Sequence, residues 1–205
     1  MKLSIFVVAL VIVLFGSPIG VRAESGDLQV SGWIPYWRDS EGIKNAKKHI
    51  SAIDVVHPFA FTVTTKGELR DQAGLDEKEW KNFVKFAHKN DTLVVPTVMW
   101  VEGQHIHEVL STPSLRKAHI EGIVEMVNDG KYDGVDIDYE SKKSETIDYF
   151  SRFLEELKDA LGEKLLTCTI EARTPPESLY KEVPATINYA NDYTEIAKHC
   201  DRVEI

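Results

Sequence analysis

Residues 133–140 constrain the fold of this chain of 205 residues more than any other segment, because acidic and apolar side chains alternate along it. Alternation with period two is typical of a β-strand, so Asp136, Asp138 and Glu140 are expected on one face and the apolar residues on the other. Neighbouring carboxyl groups on a buried strand repel one another and lose hydration, and both effects raise their pKa. A carboxylic acid can then still donate a proton near neutral pH, so the strand is predicted to be catalytic.

Two non-catalytic interpretations of these acids stay open, a structural ion-pair network and a magnesium site. A calcium loop does not fit, because it places glycine after the first acids, whereas Gly134 precedes three of the four. His105 and His107 lie near further glutamates, but their spacing fits a loop or the start of a helix as well as it fits metal ligands. We therefore predict no metal and no cofactor.

The N-terminus has the pattern of a signal peptide over residues 1–23. Lys2 precedes an apolar run that ends at Phe15, and small residues at Val21 and Ala23 suit a signal peptidase. The run is shorter than the ~20 residues that span a membrane, so cleavage is favoured over an uncleaved anchor. We predict a secreted or cell-envelope protein without stable membrane insertion after cleavage. Residues 24–205 are expected to form one domain.

The net charge of −9 argues against nucleic acid and anionic membranes as partners, since both require a basic surface. A neutral sugar polymer is compatible with an acidic protein.

Strand and helix patterns alternate along the rest of the chain, which predicts an α/β fold with a parallel sheet. The predicted strands are residues 29–37, 52–63, 93–100, 134–139, 165–172 and 202–205. The predicted helices begin at Asp76, with a capping box to Glu79, and at Pro113, and two more span residues 147–161 and 192–199. A 3.6-residue period predicts an apolar stripe on the first of them, at Trp80, Phe83, Val84 and Ala87, and on the third, at Ile147, Phe150, Leu154, Leu157 and Leu161, which ends at Gly162. Cys168 is expected to face the helices. Export permits a disulfide to Cys200, and the sequence leaves open whether the two pair.

The motif Asp-Gly-x-Asp-x-Asp-x-Glu resembles the active-site signature of glycoside hydrolase family 18, the chitinases and their relatives. Its defining positions are Asp133, Gly134, Asp136, Asp138 and Glu140. The resemblance implies a (β/α)8 TIM barrel whose fourth strand carries the motif, with Asp133 and Gly134 as structural positions.

The resemblance also implies a substrate-assisted retaining mechanism, in which Glu140 is the general acid and the acetamido oxygen of the substrate attacks the anomeric carbon. Asp138 would hold the acetamido N–H, and Asp136 would share a proton with Asp138. The implied partner is an N-acetylglucosamine-containing polysaccharide or oligosaccharide, such as chitin, peptidoglycan or an N-glycan core.

Aromatic residues near the strand ends match positions where the family stacks sugars. They are Trp33, Trp37, Phe59 and Trp100. Glu171 and Arg173 are expected to point inward beside them, and His57 to be a hydrogen-bonded histidine of the barrel. The sequence departs from the family at residues 96–100, where a Ser-x-Gly-Gly-like turn is common, and it contains neither the Met-x-Tyr-Asp segment of the sixth strand nor the tryptophan of the eighth.

Six strands do not close a barrel of eight, so we interpret the chain as the front part of a longer protein, and a compact doubly wound sheet is the alternative. Residues 24–205 alone are expected to be inactive and to aggregate. Two other functions stay open, a non-catalytic chitinase-like lectin and a structural interaction domain. Lectins of this type typically replace the glutamate, so the intact Glu140 favours the enzyme.

Overall fold

The computed structural model describes residues 28–205, and the predicted signal peptide lies outside them. Strands and helices alternate along this range. The strands are β1 Ser31–Pro35, β2 Val55–Val63, β3 Leu69–Asp71, β4 Leu93–Val94, β5 Thr97–Trp100, β6 Gly134–Tyr139, β7 Leu165–Thr169 and β8 Arg202–Glu204. The helices are α1 Asp39–His49, α2 Lys78–Lys89, α3 Gly103–Ser111, α4 Pro113–Gly130, α5 Ile147–Leu161, α6 Pro176–Leu179 and α7 Tyr193–His199. None of these helices is long and apolar enough to cross a membrane.

Six strands form a parallel sheet in the order β1-β2-β5-β6-β7-β8, which confirms the predicted α/β class. The short strand β3 runs antiparallel to β2. The predicted strand over residues 93–100 is divided into β4 and β5 by Val95 and Pro96. Proline has no backbone N–H, so it cannot donate to a strand ladder.

The sheet is curled, as contacts between side chains near its two opposite edges show. Glu204 on edge strand β8 accepts a hydrogen bond of 3.0 Å from the hydroxyl of Ser31 on the opposite edge. The same carboxylate oxygen lies 3.2 Å from Nε2 of His57 on β2. This curl agrees with part of a TIM barrel and not with a flat, doubly wound sheet.

The helices cover the outer face of the sheet with apolar side chains. The predicted stripe of α2 is buried and consists of Trp80, Phe83, Val84 and Ala87. In α5 the predicted Phe150, Leu154, Leu157 and Leu161 are buried, together with Phe153, the predicted Ile147 is half-buried, and the helix ends at Leu161, before Gly162. The 3.6-residue period thus identifies the packing face of both helices.

One sequence prediction about local structure is wrong, and three helices were not predicted. The capping box of Asp76 and Glu79 is absent, because α2 begins two residues later, after Glu77. In the loop before α2, Asp71 instead accepts hydrogen bonds from three consecutive backbone N–H groups. The helices that were not predicted are α1, α3 and α6.

A disulfide joins Cys168 to Cys200, which answers the question that the sequence left open. Cys168 lies on β7 and is buried on the helix side of the sheet, as predicted. That side is also where Cys200 lies, since it follows the last residue of α7. The bond therefore links the sheet to the helix that covers it.

Candidate active site

The acidic motif forms β6 and the turn that follows it. All six residues of β6 are buried, and the strand pairs with β5 and β7 on its two sides. Asp136 and Asp138 point to the concave inner face, where Asp136 contacts side chains of three other strands. Glu140 follows the strand at its C-terminal end, and its side chain is exposed. Active sites of TIM barrels lie at this end of the strands.

The carboxylate of Asp136 is fully buried and is held by three donors. The hydroxyl of Thr97 donates to Oδ2 at 2.8 Å, the hydroxyl of Thr169 donates to Oδ1 at 2.9 Å, and Nε1 of Trp33 donates to Oδ2 at 3.5 Å. The pKa of Asp136 is raised to about 7, chiefly by burial; the three hydrogen bonds oppose the increase, and the charge of Asp138 contributes to it. Asp136 can therefore exchange a proton near neutral pH.

Asp138 is 6% exposed, and no hydrogen bond to another described side chain fixes its carboxyl group. Burial raises its pKa to about 6, the negative charges of Glu140 and Glu171 add to the increase, and the positive charge of Lys142 opposes it. Asp138 lies between Asp136 on the same strand and Glu140 just after it. Protonation of one of these carboxyl groups therefore changes the electrostatic environment of its neighbours.

The turn after Glu140 is fixed by close backbone packing. The N–H of Glu140 donates to the carbonyl of Trp100 at 2.9 Å. Ser141 has a left-handed backbone, with φ of 54°, and its N–H donates to Oε1 of Glu171 at 3.2 Å. A Cβ on Gly103, the first residue of α3, would lie 2.1 Å from the carbonyl oxygen of Ser141. The start of α3 thus packs directly against the turn that carries Glu140.

The first two motif positions hold the beginning of β6. The carboxylate of Asp133 accepts hydrogen bonds from the N–H of Val94 at 2.8 Å and from Nε2 of His88 at 2.9 Å. A Cβ on Gly134 would lie 2.2 Å from the carbonyl oxygen of Leu165, so β6 and β7 could not approach as they do. These contacts account for an acid followed by glycine at this position.

Three of the predicted sugar-stacking residues lie on the inner face or at its rim. Trp33 is 42% exposed, stacks on His57 with ring centroids 5.3 Å apart, and donates to Asp136. Trp37 is 62% exposed and meets the half-buried Phe59 edge to face at 5.9 Å. Trp37 follows β1 at the catalytic end of the sheet, whereas Trp33 lies lower, in the middle of β1.

Trp100 does not fit the predicted sugar contact. Its side chain is 1% exposed and packs edge to face against His119 and Tyr139 on the helix side of the sheet. Since Thr97 points inward, alternation turns Met99 inward and Trp100 outward. Trp100 is therefore a core residue.

Glu171 and Arg173 follow β7 at the same end of the sheet, and both are exposed. The Arg173 guanidinium carbon lies 3.7 Å from the ring centre of Tyr189 and 4.3 Å from that of Tyr193.

The histidines have structural contacts. Nδ1 of His57 lies 3.0 Å from the carbonyl oxygen of Val95, as expected for a hydrogen-bonded barrel histidine. His105 and His107 lie on α3, and Nδ1 of His107 is 3.0 Å from the hydroxyl of Thr146. Within residues 28–205, no group of three or more His, Cys, Asp or Glu residues is placed to hold a metal ion.

The comparison with known families agrees with this geometry. The family described as glycosyl hydrolases family 18 matches residues 32–205. The chain belongs to glycoside hydrolase family 18.

Individual family 18 relatives are distant, and the chain spans only part of them. It is 28% identical over 141 residues to the sporulation-specific glycosylase YdhD of Bacillus subtilis (strain 168), covering 66% of this chain and 32% of YdhD. It is similar in structure to a class V chitinase of Pseudomonas fluorescens Pf-5, with a TM-score of 0.72, 18% identity, and coverage of 85% of this chain and 52% of that one. A chitinase of Cycas revoluta in complex with (GlcNAc)4 has a TM-score of 0.69, 16% identity, and coverage of 86% and 54%.

Several residues of the candidate site were not predicted from the sequence. Thr97 and Thr169 lie on the strands beside β6, and only strand pairing brings them to Asp136. Met99 is level with Asp138 on the inner face. Lys142 is 7% exposed, and its Nζ contacts the carbonyl of Tyr139 and lies 4.6 Å from the ring centre of Phe150. A lysine in a polar turn is usually solvated, so no sequence signal distinguished it.

Proposed function

We propose that the full-length protein is a glycosidase that hydrolyses β-linked N-acetylglucosamine-containing polysaccharide with retention of configuration. The observation that carries this proposal is the row of Asp136, Asp138 and Glu140, from a buried carboxyl to an exposed one at the catalytic end of the sheet. Membership of family 18 supports the same activity.

In the first step, Glu140 protonates the glycosidic oxygen while the carbonyl oxygen of the substrate's own 2-acetamido group attacks the anomeric carbon. The bond to the leaving sugar breaks, and a cyclic oxazolinium ion forms. Water then opens this ion, returning the proton to Glu140 and restoring the acetamido group. Glu140 is exposed at the C-terminal end of β6, so its carboxyl group is free to reach a glycosidic bond.

Asp138 would accept a hydrogen bond from the acetamido N–H and stabilise the positive charge of the oxazolinium ion. Its carboxyl group suits this role because no described side chain competes for it. Asp136, held by Thr97, Thr169 and Trp33, would take up or release a proton as the charge of Asp138 changes. With a pKa of about 7, Asp136 is poised for that exchange.

This mechanism requires an N-acetyl group on the sugar at the reacting position. Chitin, peptidoglycan and N-glycan cores all carry one, and Trp33, Trp37 and Phe59 supply rings on which pyranose faces could stack. Because the predicted signal peptide supports export, we propose that the protein acts outside the cytoplasm, as a secreted or cell-envelope protein.

We propose that the activity needs more of the barrel than this chain contains. The chain spans about half of the similar chitinase structures, so residues 24–205 alone are expected not to hydrolyse N-acetylglucosamine oligomers.

The decisive variant is Glu140→Gln in the full-length protein. The amide preserves the volume of the side chain and removes only its transferable proton, so hydrolysis of (GlcNAc)4 should fall below detection. Binding of (GlcNAc)4, measured by titration calorimetry, should change little.

Glu163→Gln is the matched control, because Glu163 is exposed in the loop before β7, at the opposite end of the sheet. It should hydrolyse (GlcNAc)4 like the wild type. Wild-type turnover by Glu140→Gln would overturn the assignment. Binding without hydrolysis by the wild type would instead favour a chitinase-like lectin.

A further inference from the structure

A groove opens beside the turn that carries Glu140. It has a volume of about 330 Å³, within the range of small-molecule sites, and Lys142, Glu171, Arg173, Asn188 and Asn191 lie along it. Lys142 is two residues beyond Glu140, and Glu171 accepts a hydrogen bond from Ser141. The groove is therefore close enough to Glu140 to receive a substituent of a sugar that is bound there.

Arg173 stands in this groove with its charge unmatched. Its guanidinium lies against the rings of Tyr189 and Tyr193, and within the described part of the chain it forms no ion pair. A guanidinium that contacts rings with its flat face keeps its N–H donors in the plane available. Those donors form a planar fork that matches a carboxylate.

The carboxylates near Arg173 already have other partners. Glu171 accepts from the N–H of Ser141, and Asp192 accepts from the N–H groups of Thr194 and Glu195 at the start of α7. Glu145 lies 3.6 Å from Lys143. The groove thus contains an unpaired cation in a protein whose net charge is −9, where an anionic ligand would otherwise be repelled.

Asn191 provides a second, independent feature of the groove. Its side-chain oxygen is buried and accepts no hydrogen bond from the described residues. A buried polar atom without a partner is unfavourable in the free protein, and a donor on a bound ligand would satisfy it once the Asn191 side chain turns into the groove. An N-acetylated sugar with a carboxylate substituent offers both an amide N–H and an anion.

From this geometry we infer that the groove recognises a carboxylate carried on the N-acetylated glycan. The guanidinium of Arg173 would bind this carboxylate. The inference rests on the proposed glycosidase function and narrows its substrate to glycans that bear the lactyl ether of muramic acid, over neutral chitin. Arg173 sets specificity and takes no part in bond cleavage.

The test measures binding in the Glu140→Gln background, where no ligand is consumed. The ligands are a tetrasaccharide of alternating N-acetylglucosamine and N-acetylmuramic acid, and the same tetrasaccharide with its lactyl carboxylates converted to methyl amides. The carboxylate form should bind about ten- to a hundredfold more tightly, as expected for a charge-assisted hydrogen bond. Arg173→Gln should abolish this preference, and Arg173→Lys should retain part of it.

Arg152→Gln is the matched control, since Arg152 is exposed on α5, away from the groove, and it should preserve the preference. If Glu140→Gln, in which Arg173 is intact, binds the two tetrasaccharides equally, the inference is wrong. This outcome needs no substitution of Arg173. A preference that survives in Arg173→Gln would also overturn it. If the wild type hydrolyses neither the tetrasaccharides nor (GlcNAc)4, the proposed glycosidase activity is wrong. The role of Arg173 is tested separately, by the preference in binding for the carboxylate over the methyl amide.

Discussion

At the scale of single residues, the candidate site combines carboxyl groups that differ in burial. Asp136 is enclosed by hydrogen-bond donors, Asp138 is buried but open to a ligand, and Glu140 is exposed. Environment therefore separates the roles of chemically similar side chains, since burial raises the pKa of Asp136 to about 7 and that of Asp138 to about 6.

Asp138→Asn should lower turnover by about two to three orders of magnitude, because a carboxylate that stabilises a charged intermediate contributes that much. The charge of Asp138 raises the pKa of Asp136, so its removal should lower that pKa from about 7. The pH–rate profile of the variant should shift to lower pH accordingly. Equal cleavage by the wild type of substrates that lack the 2-acetamido group would contradict the substrate-assisted scheme.

Lys142→Met should raise the pKa of Asp138 above its value of about 6, because the lysine charge holds it down while burial, Glu140 and Glu171 raise it. The limb of the pH–rate profile that depends on the ionisation of Asp138 should then move to higher pH. Lys142→Arg retains the charge and serves as the comparison. A limb at the same pH in Lys142→Met would mean that Lys142 only packs against Tyr139 and Phe150.

At the scale of secondary structure elements, the position of Glu140 depends on α3 as well as on β6. The first residue of α3 is a glycine because the carbonyl of Ser141 occupies the place of a side chain. The helix thus supports the turn after the acidic strand, although it contributes no residue to the acidic row.

Gly103→Ala should lower both the stability and the activity of the full-length protein, since its Cβ would lie 2.1 Å from a backbone oxygen and must displace the turn or the helix. Gly122→Ala is the matched control, because Gly122 lies on α4 and nothing lies within 4 Å of an added Cβ. Alanine favours helix over glycine by up to about 1 kcal/mol, so this variant should be slightly stabilised. Urea denaturation and hydrolysis of (GlcNAc)4 would measure both effects, and unchanged activity in Gly103→Ala would contradict the role assigned to α3.

At the scale of the whole molecule, long-range contacts join parts of the sheet that are distant in sequence. The Cys168–Cys200 bond closes a loop with a sequence separation of 32 and links β7 to the end of α7. Across the inner face, Glu204 brings β8 to Ser31 and His57.

Reduction of the disulfide should lower the free energy of unfolding by about 3–4 kcal/mol, the loop-entropy value for a loop of this length. The midpoint of urea denaturation, measured with and without dithiothreitol, would report the change. A double variant, Cys168→Ala with Cys200→Ala, should be insensitive to the reductant. An unchanged midpoint in the wild type would show that the bond contributes no stability.

The sequence determined β6 and its acidic face, because alternation with period two is a local property that the strand expresses directly. The same holds for the apolar stripes of α2 and α5 and for the parallel α/β class. The tertiary structure decided which way Trp100 points, since residues 93–100 are apolar apart from Thr97 and show no alternation from which a face could be predicted. It also brought Thr97 and Thr169 to Asp136, buried Lys142, left Arg173 without a counter-ion among residues 28–205 and paired the cysteines. Those features depend on strand register and on contacts between residues far apart in sequence, and a local pattern contains neither.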